Sequence, residues 1–221
     1  MRPPVETVEV PRDAEQAEHP PEETRVRILR VAAGEFAAKG LAGARVDEIA
    51  RKAQANKQLV YYYFGGKLGL YNEVLGHMIG ESRQRIEAEA ECETLIDKLK
   101  LMVARGSEPT GIRWQRLLAF EALEAGPERA FVREDERAGS WRRHVESVRA
   151  AQSAGEIDPE LDAELLALAL VSMTVFPYVM PQLTKFNSGS LPTDGEFGER
   201  YADFVGQLVG RLAPAAAGAA P

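Results

Sequence analysis

Residues Val46 to Lys67 read VDEIARKAQANKQLVYYYFGGK, and this stretch decides the fold. Val46, Ile49, Ala50 and Ala53 recur at helical spacing and mark a short helix over 46–53. Gln54, Ala55 and Asn56 then break the pattern. Asn56 suits an N-cap, because its side-chain oxygen can accept from a free amide of the following helix. A second helix is expected over 57–64, ended by Gly65 and Gly66. Two short helices joined by a three-residue turn form a helix-turn-helix, whose second helix enters the major groove of DNA. Ala50 and Ala53 are small, so the two helices can approach closely. Ile49, Val60 and Phe64 are expected to face inward, leaving Lys57, Gln58, Tyr61 and Tyr62 outward.

Those outward residues carry DNA chemistry. Lys57 can reach a phosphate or a guanine edge, and Gln58 can pair with adenine. The hydroxyls of Tyr61 and Tyr62 can donate to phosphate oxygens. Three consecutive tyrosines cannot all face one core, so at least one is exposed. Lys67 opens the next helix, where a phosphate would meet both its ammonium and the helix's positive end. The pattern of Ile49, Ala50, Ala53, Asn56, Lys57, Val60, Tyr61, Tyr62, Phe64, Lys67 and Leu70 resembles the TetR family of regulators, over about residues 24–74. The resemblance implies a dimeric DNA-binding repressor whose C-terminal helices bind a small molecule. It also marks departures. Gln54 stands where the family usually has Gly, and must either take a positive φ or use a different turn. Arg45 replaces the usual Ser/Thr cap, losing a hydrogen bond worth roughly 1 kcal/mol but placing a cation where that residue touches phosphate. Tyr63 replaces a frequent His. Leu59 replaces a small polar residue and is expected to read a thymine methyl.

Outward from this stretch, charge supports the same reading. The 221 residues carry a net charge of −7, which alone argues against nucleic acid. Residues 23–67, however, hold nine Lys/Arg and four Asp/Glu, whereas residues 68–221 hold 16 and 24. A basic module joined to an acidic body offers phosphates one preferred landing place. Residues 1–22 are acidic and rich in proline, and are expected to form a disordered arm rather than a signal peptide. The Ala/Gly/Pro tail over 214–221 is expected to be flexible. No apolar run approaches the ~18–20 residues of a membrane span, so a cytoplasmic protein without a membrane partner is expected.

The intervening chain reads as all-α, with about nine helices in total and no alternating β pattern. The first helix is expected over 23–39, closed by Gly40. Further helices are expected at 67–90, 93–106, 110–125, 128–154, 161–183 and 194–212. Pro177 and Pro181 should kink or end the second-last of these. The expected domains are a DNA-binding domain over 23–66 and a regulatory and dimerisation domain over 67–213. Trp114, Phe120, Trp141, His144, Met173 and Phe176 are candidate walls of an effector pocket, which the resemblance implies; at helical spacing they also read as ordinary core. Leu165, Leu168 and Ser172 on one terminal helix, with Phe197, Tyr201, Phe204 and Leu208 on the other, form stripes wider than a monomer needs and are expected at a homodimer interface. The three histidines are scattered and Cys92 is the lone cysteine, so no metal ligand set, cofactor site or catalytic thiol is expected. Two other classes are weighed beside the DNA-binding regulator. A helical enzyme or ligand carrier would need a catalytic constellation, and none is found. An interaction protein that senses nothing would have a solid C-terminal core.

Overall fold

The computed structural model describes residues 21–89, 91–124 and 131–214. The expected arm (all but its last two residues) and the tail beyond Pro214 lie outside the described residues. Among the described residues the secondary structure is ten α-helices and no strand. They are α1 (Pro21–Gly43), α2 (Val46–Lys52), α3 (Lys57–Phe64), α4 (Lys67–Glu89), α5 (Leu95–Ser107), α6 (Pro109–Glu124), α7 (Glu134–Ser153), α8 (Ala163–Val179), α9 (Pro181–Ser188) and α10 (Gly195–Gly210). The chain divides into two compact units, one up to Val74 and one from Leu75 onward. The boundary drawn from the sequence, at 66/67, falls earlier. The first turns of α4 bury Leu70, Tyr71 and Val74, and Tyr71 meets Phe36 of α1 edge-on with ring centroids 5.0 Å apart.

The first unit is built on α1, whose Ile28, Ala32 and Phe36 are fully buried at i, i+4 and i+8. Glu22 and Glu23 sit in its first turn, where the helix dipole favours acids. Gly40 breaks the helix with φ 69° and ψ 179°, and a short helical stretch resumes to Gly43. Gly69 marks a close approach: a Cβ there would lie 1.8 Å from the carbonyl oxygen of Phe64. No side chain fits, so the α3–α4 junction requires glycine.

In the second unit α5, α8 and α10 enclose a core of Leu99, Val103, Ala167, Leu170, Val205 and Val209, closed on another side by Val148 and Ala151 of α7. Thr94 caps α5 by accepting from the Asp97 amide at 3.1 Å, and its hydroxyl donates to the Asp97 carboxylate at 2.6 Å. The single helix expected over 161–183 is two helices. Proline disfavours helical geometry in the residue before it. Met180 accordingly takes φ −119° and ψ 60°, and Pro181 restarts the chain as α9 at 90° to α8. Pro177 stays inside α8. This break accounts for the tenth helix. The helix expected from 128 begins at Glu134, after Arg133 with φ 52°. Its first expected residues, 128–130, lie outside the described residues. No single helix among the described residues is long and apolar enough to cross a membrane.

Candidate nucleic-acid interface and interior cavities

The helix-turn-helix is held by local chemistry. At the end of α2 the Ala55 amide donates to the Ala50 carbonyl, and the Gln54 amide to the Arg51 carbonyl. This pair of bonds is the Schellman pattern, with Gln54 at the left-handed position (φ 50°) usually taken by glycine. Arg27 of α1 clamps the same turn: its Nε donates to the Ala53 carbonyl at 2.5 Å and Nη2 to the Gln54 carbonyl at 3.4 Å. Asn56 caps α3 by accepting from the Gln58 amide at 2.9 Å. Gly65 closes α3 in a left-handed conformation.

α3 presents Lys57, Gln58, Tyr61 and Tyr62 to solvent. Its buried face is Leu59, Val60 and Phe64. Leu59 is therefore a correction. It is only 4% exposed, and it lies beside Val60 on the core-facing arc of the helix, so it presents no methyl surface to a base. Tyr63 is half-buried and touches the Tyr62 and Phe64 rings edge-on. Lys57 pairs with Asp47 of α2 at 2.7 Å. That hydrogen bond raises the ammonium's pKa above the usual lysine value, keeping it charged. Arg45 is exposed at the start of α2 and makes no side-chain cap, as its identity implies. Lys67 is half-buried and donates to the Ala42 carbonyl at 3.0 Å, so its ammonium is already engaged within the unit.

Sequence reading missed a network between α1 and α2. Glu35 is almost fully buried and bonds both Lys52 and Lys39, which in turn bond Glu48. Hydrogen bonds from Lys52 and Lys39 hold the Glu35 carboxyl below the usual carboxylate range. The i,i+4 pairs Glu35/Lys39 and Glu48/Lys52 were visible in the sequence; their meeting across two helices was not.

The second unit contains a cavity of about 400 Å³. Trp114, Trp141, His144 and Phe176, four of the six candidate pocket residues, line it. Phe120 and Met173 do not. Phe120 is half-buried elsewhere on α6, and Met173 packs against the unit's core. The polar walls were not foreseen: Glu89, Arg105, Gln115 and Arg137. Arg137 pairs at 2.7 Å with the buried Glu121, and Arg105 lies 3.6 Å from Glu89. Burial pushes the Glu89 carboxyl above its usual pKa despite Arg105, Lys98 and Arg85 nearby. Burial, helped by Lys98, pushes His144 down. A second cavity of about 290 Å³ adjoins the first and shares Ile86, Glu89, Met102, His144 and Val171 with it. A solid core, the mark of a regulator that senses nothing, is not what this unit has. Among the described residues no cluster of three or more His, Cys, Asp or Glu could hold a metal ion.

The candidate interface residues divide. Leu165 (67% exposed), Leu168, Phe204 and Leu208 are exposed apolar side chains on α8 and α10, and Ser172 is exposed beside them. Leu168 and Ser172 also line the larger cavity. Phe197 is a correction: it is only 6% exposed and stacks on Tyr201 at 5.4 Å, so the protomer's own fold has used it. Tyr201 is half-buried and donates to the Met173 carbonyl at 2.9 Å.

Comparison with known proteins bears on both units. Residues 28–74 match the family described as bacterial regulatory proteins, tetR family, and residues 108–211 match a tetracyclin repressor-like C-terminal domain. The chain is 35% identical over 178 residues to the HTH-type transcriptional repressor SCO4008 of Streptomyces coelicolor, covering 79% of this chain and 90% of that protein. It is 38% identical over 61 residues to the HTH-type transcriptional repressor NicS of Pseudomonas putida, 28% of this chain and 29% of that one. The crystal structure of SCO4942 from Streptomyces coelicolor shares the fold at 23% identity with a TM-score of 0.67, over 86% of this chain and 98% of that one. So does a regulator from Saccharomonospora viridis solved in complex with choline, at 18% identity and TM-score 0.67, over 85% and 96%.

Proposed function

The chain belongs to the TetR family of bacterial regulatory proteins, and from that membership we propose that it is a dimeric repressor released from a two-fold operator by a small molecule. Helix-turn-helix DNA binding and transcriptional regulation come with the family. The operator contacts, the dimer and the effector are the proposal. The observation that carries the DNA-binding part is the exposed face of α3, with Lys57, Gln58, Tyr61 and Tyr62 solvent-facing over buried Leu59, Val60 and Phe64. Gln58 reads base edges, while Lys57, Tyr61, Tyr62 and Arg45 hold phosphates. Lys67 contributes only by exchanging its bond to the Ala42 carbonyl for a phosphate. A dimer joined through α8 and α10 has two recognition helices for two half-sites, which on one DNA face lie about 34 Å apart, one helical turn.

The cavity supports a small-molecule effector, and a structural neighbour was solved in complex with a small molecule, choline. α4 runs unbroken from Lys67 to Glu89, and its Ile79, Ser82, Arg85 and Glu89 line the cavity. A ligand shifts the DNA-binding equilibrium only by its differential affinity for the two states, and DNA weakens the ligand by the same factor. A regulator of this family works in the cytoplasm, where its operator DNA lies. Lys57→Ala combined with Tyr62→Phe is expected to abolish operator retention in a gel shift while leaving the circular dichroism spectrum unchanged. Retention at the wild-type level would overturn the assignment of α3 as the DNA contact.

A further inference from the structure

We infer that the two adjoining cavities form one site for an elongated amphiphilic anion, its acid group at their shared wall beside Arg85 and Lys98 and its apolar body among Trp114, Trp141 and Phe176. This rests on the reading of the cavity as the effector site, and adds the chemical class of the effector.

The charges lining the two cavities carry the inference. The larger one presents Arg85, Arg105 and Arg137 against Glu89, and the smaller one adds Lys98, Arg143 and Glu146. Several of these are already matched. Arg137 is tied to Glu121 and Arg105 approaches Glu89. Arg143 and Glu146 are exposed on the rim, where water screens them. Arg85 and Lys98 differ. Both are half-buried, and neither has a carboxylate within 4 Å among the described residues. Among the described residues the Lys98 ammonium donates to the Ser147 hydroxyl at 3.2 Å. Half-buried cations with no carboxylate in direct contact can take up an anion through short charge-assisted hydrogen bonds. Glu89 sits between them on the shared wall, nine-tenths buried, and faces Arg105, Lys98, Arg85 and His144. Burial disfavours its charged form, which weakens its repulsion of an incoming acid. Gln115, Ser140 and Thr174 add polar groups to the larger cavity, and the rest of its lining is mainly apolar, which suits a hydrophobic body. A ligand that reaches from one cavity past the shared lining into the other is necessarily extended.

The chain's own fluorescence tests this without DNA. Its two tryptophans are Trp114 and Trp141, and both line the larger cavity, so quenching reports occupancy. The full chain is titrated with decanoate, decylammonium and decanol, which share one tail. Decanoate is expected to bind at least about tenfold tighter than decanol, one charge-assisted hydrogen bond's worth. Lys98→Met and Arg85→Met are each expected to erase that preference while leaving decanol binding unchanged. Glu89→Gln is expected to bind decanoate as well as the wild type or better. Equal or tighter binding of decylammonium, loss of decanoate binding in Glu89→Gln, or no quenching by decanoate overturns the inference. The probe series needs only the wild-type chain, so an unstable variant does not blunt it. Release of operator DNA by cationic or neutral compounds alone would sink the anion while keeping the effector-released repressor. Release by no compound of any charge would sink that broader reading too.

Discussion

Gln54 and Leu59, five residues apart, show where a single position is and is not legible. Gln54 was marked by comparison with a glycine, and the structure shows the positive φ that glycine would have relieved. A non-glycine residue in the left-handed region costs roughly 1–2 kcal/mol, part of which Gly returns through a more flexible unfolded chain. Gln54→Gly is therefore expected to raise stability by about 0.5–1 kcal/mol in urea unfolding. The Arg27 bond to the residue-54 carbonyl survives the change. Leu59 was misread because the side chains at 57, 58, 61 and 62 define the outer face only once the inner arc is known to include 59. Leu59→Ala is expected to cost about 2–4 kcal/mol of stability and to leave base preference unaltered in a binding-site selection. An altered preference at one base pair would restore Leu59 as a reader. Gln58→Ala is the contrasting variant that should relax that preference.

At the scale of elements, what the chain spells locally was legible. Caps such as Asn56 and breaks such as Gly65 act within a few residues, so the bounds of α2, α3 and α4 agree with the spacing to within a residue. Pro181 was recognised as a breaker, but whether it would kink a helix or end it depended on Met180. The cavity's acid and base walls were not legible at all. Glu89, Arg105 and Arg137 come from three different helices, and no spacing in the sequence announces that they converge. The Glu35 network has the same long-range character, and it predicts a pH dependence. The folded carboxyl lies below its unfolded value of about 4.3, so its contribution is full above that pH and is lost as pH falls toward the folded value. Glu35→Gln is expected to be less stable by about 1–2 kcal/mol at neutral pH, with the two proteins converging as the pH is lowered toward 3. Parallel stability curves across that range would show that the network adds nothing.

For the whole molecule, the apolar surface and the tryptophan placement have consequences of their own. Exposed Leu165, Leu168, Phe204 and Leu208 crowd α8 and α10, and surface of that kind marks association. Leu165→Glu with Phe204→Glu is expected to give a monomer by light scattering, with operator affinity falling by more than about tenfold because two half-sites no longer act together. A dimer that persists would move the interface elsewhere. The stripes told which faces of these helices were apolar. They could not tell that Phe197 would be covered from within, since that depends on which neighbour the fold supplies. The tryptophans sit in the second unit alone, whereas four of the six tyrosines, Tyr61, Tyr62, Tyr63 and Tyr71, sit in the first. The two units thus carry different colours. During denaturation, tryptophan emission follows the melting of one and tyrosine absorbance chiefly that of the other. A ligand confined to the second unit should delay the tryptophan transition by RT ln(1 + [L]/Kd). The tyrosine transition moves with it only if both units melt as a single cooperative block, so two spectral channels measure directly how tightly sensing and DNA binding are bound into one folding event.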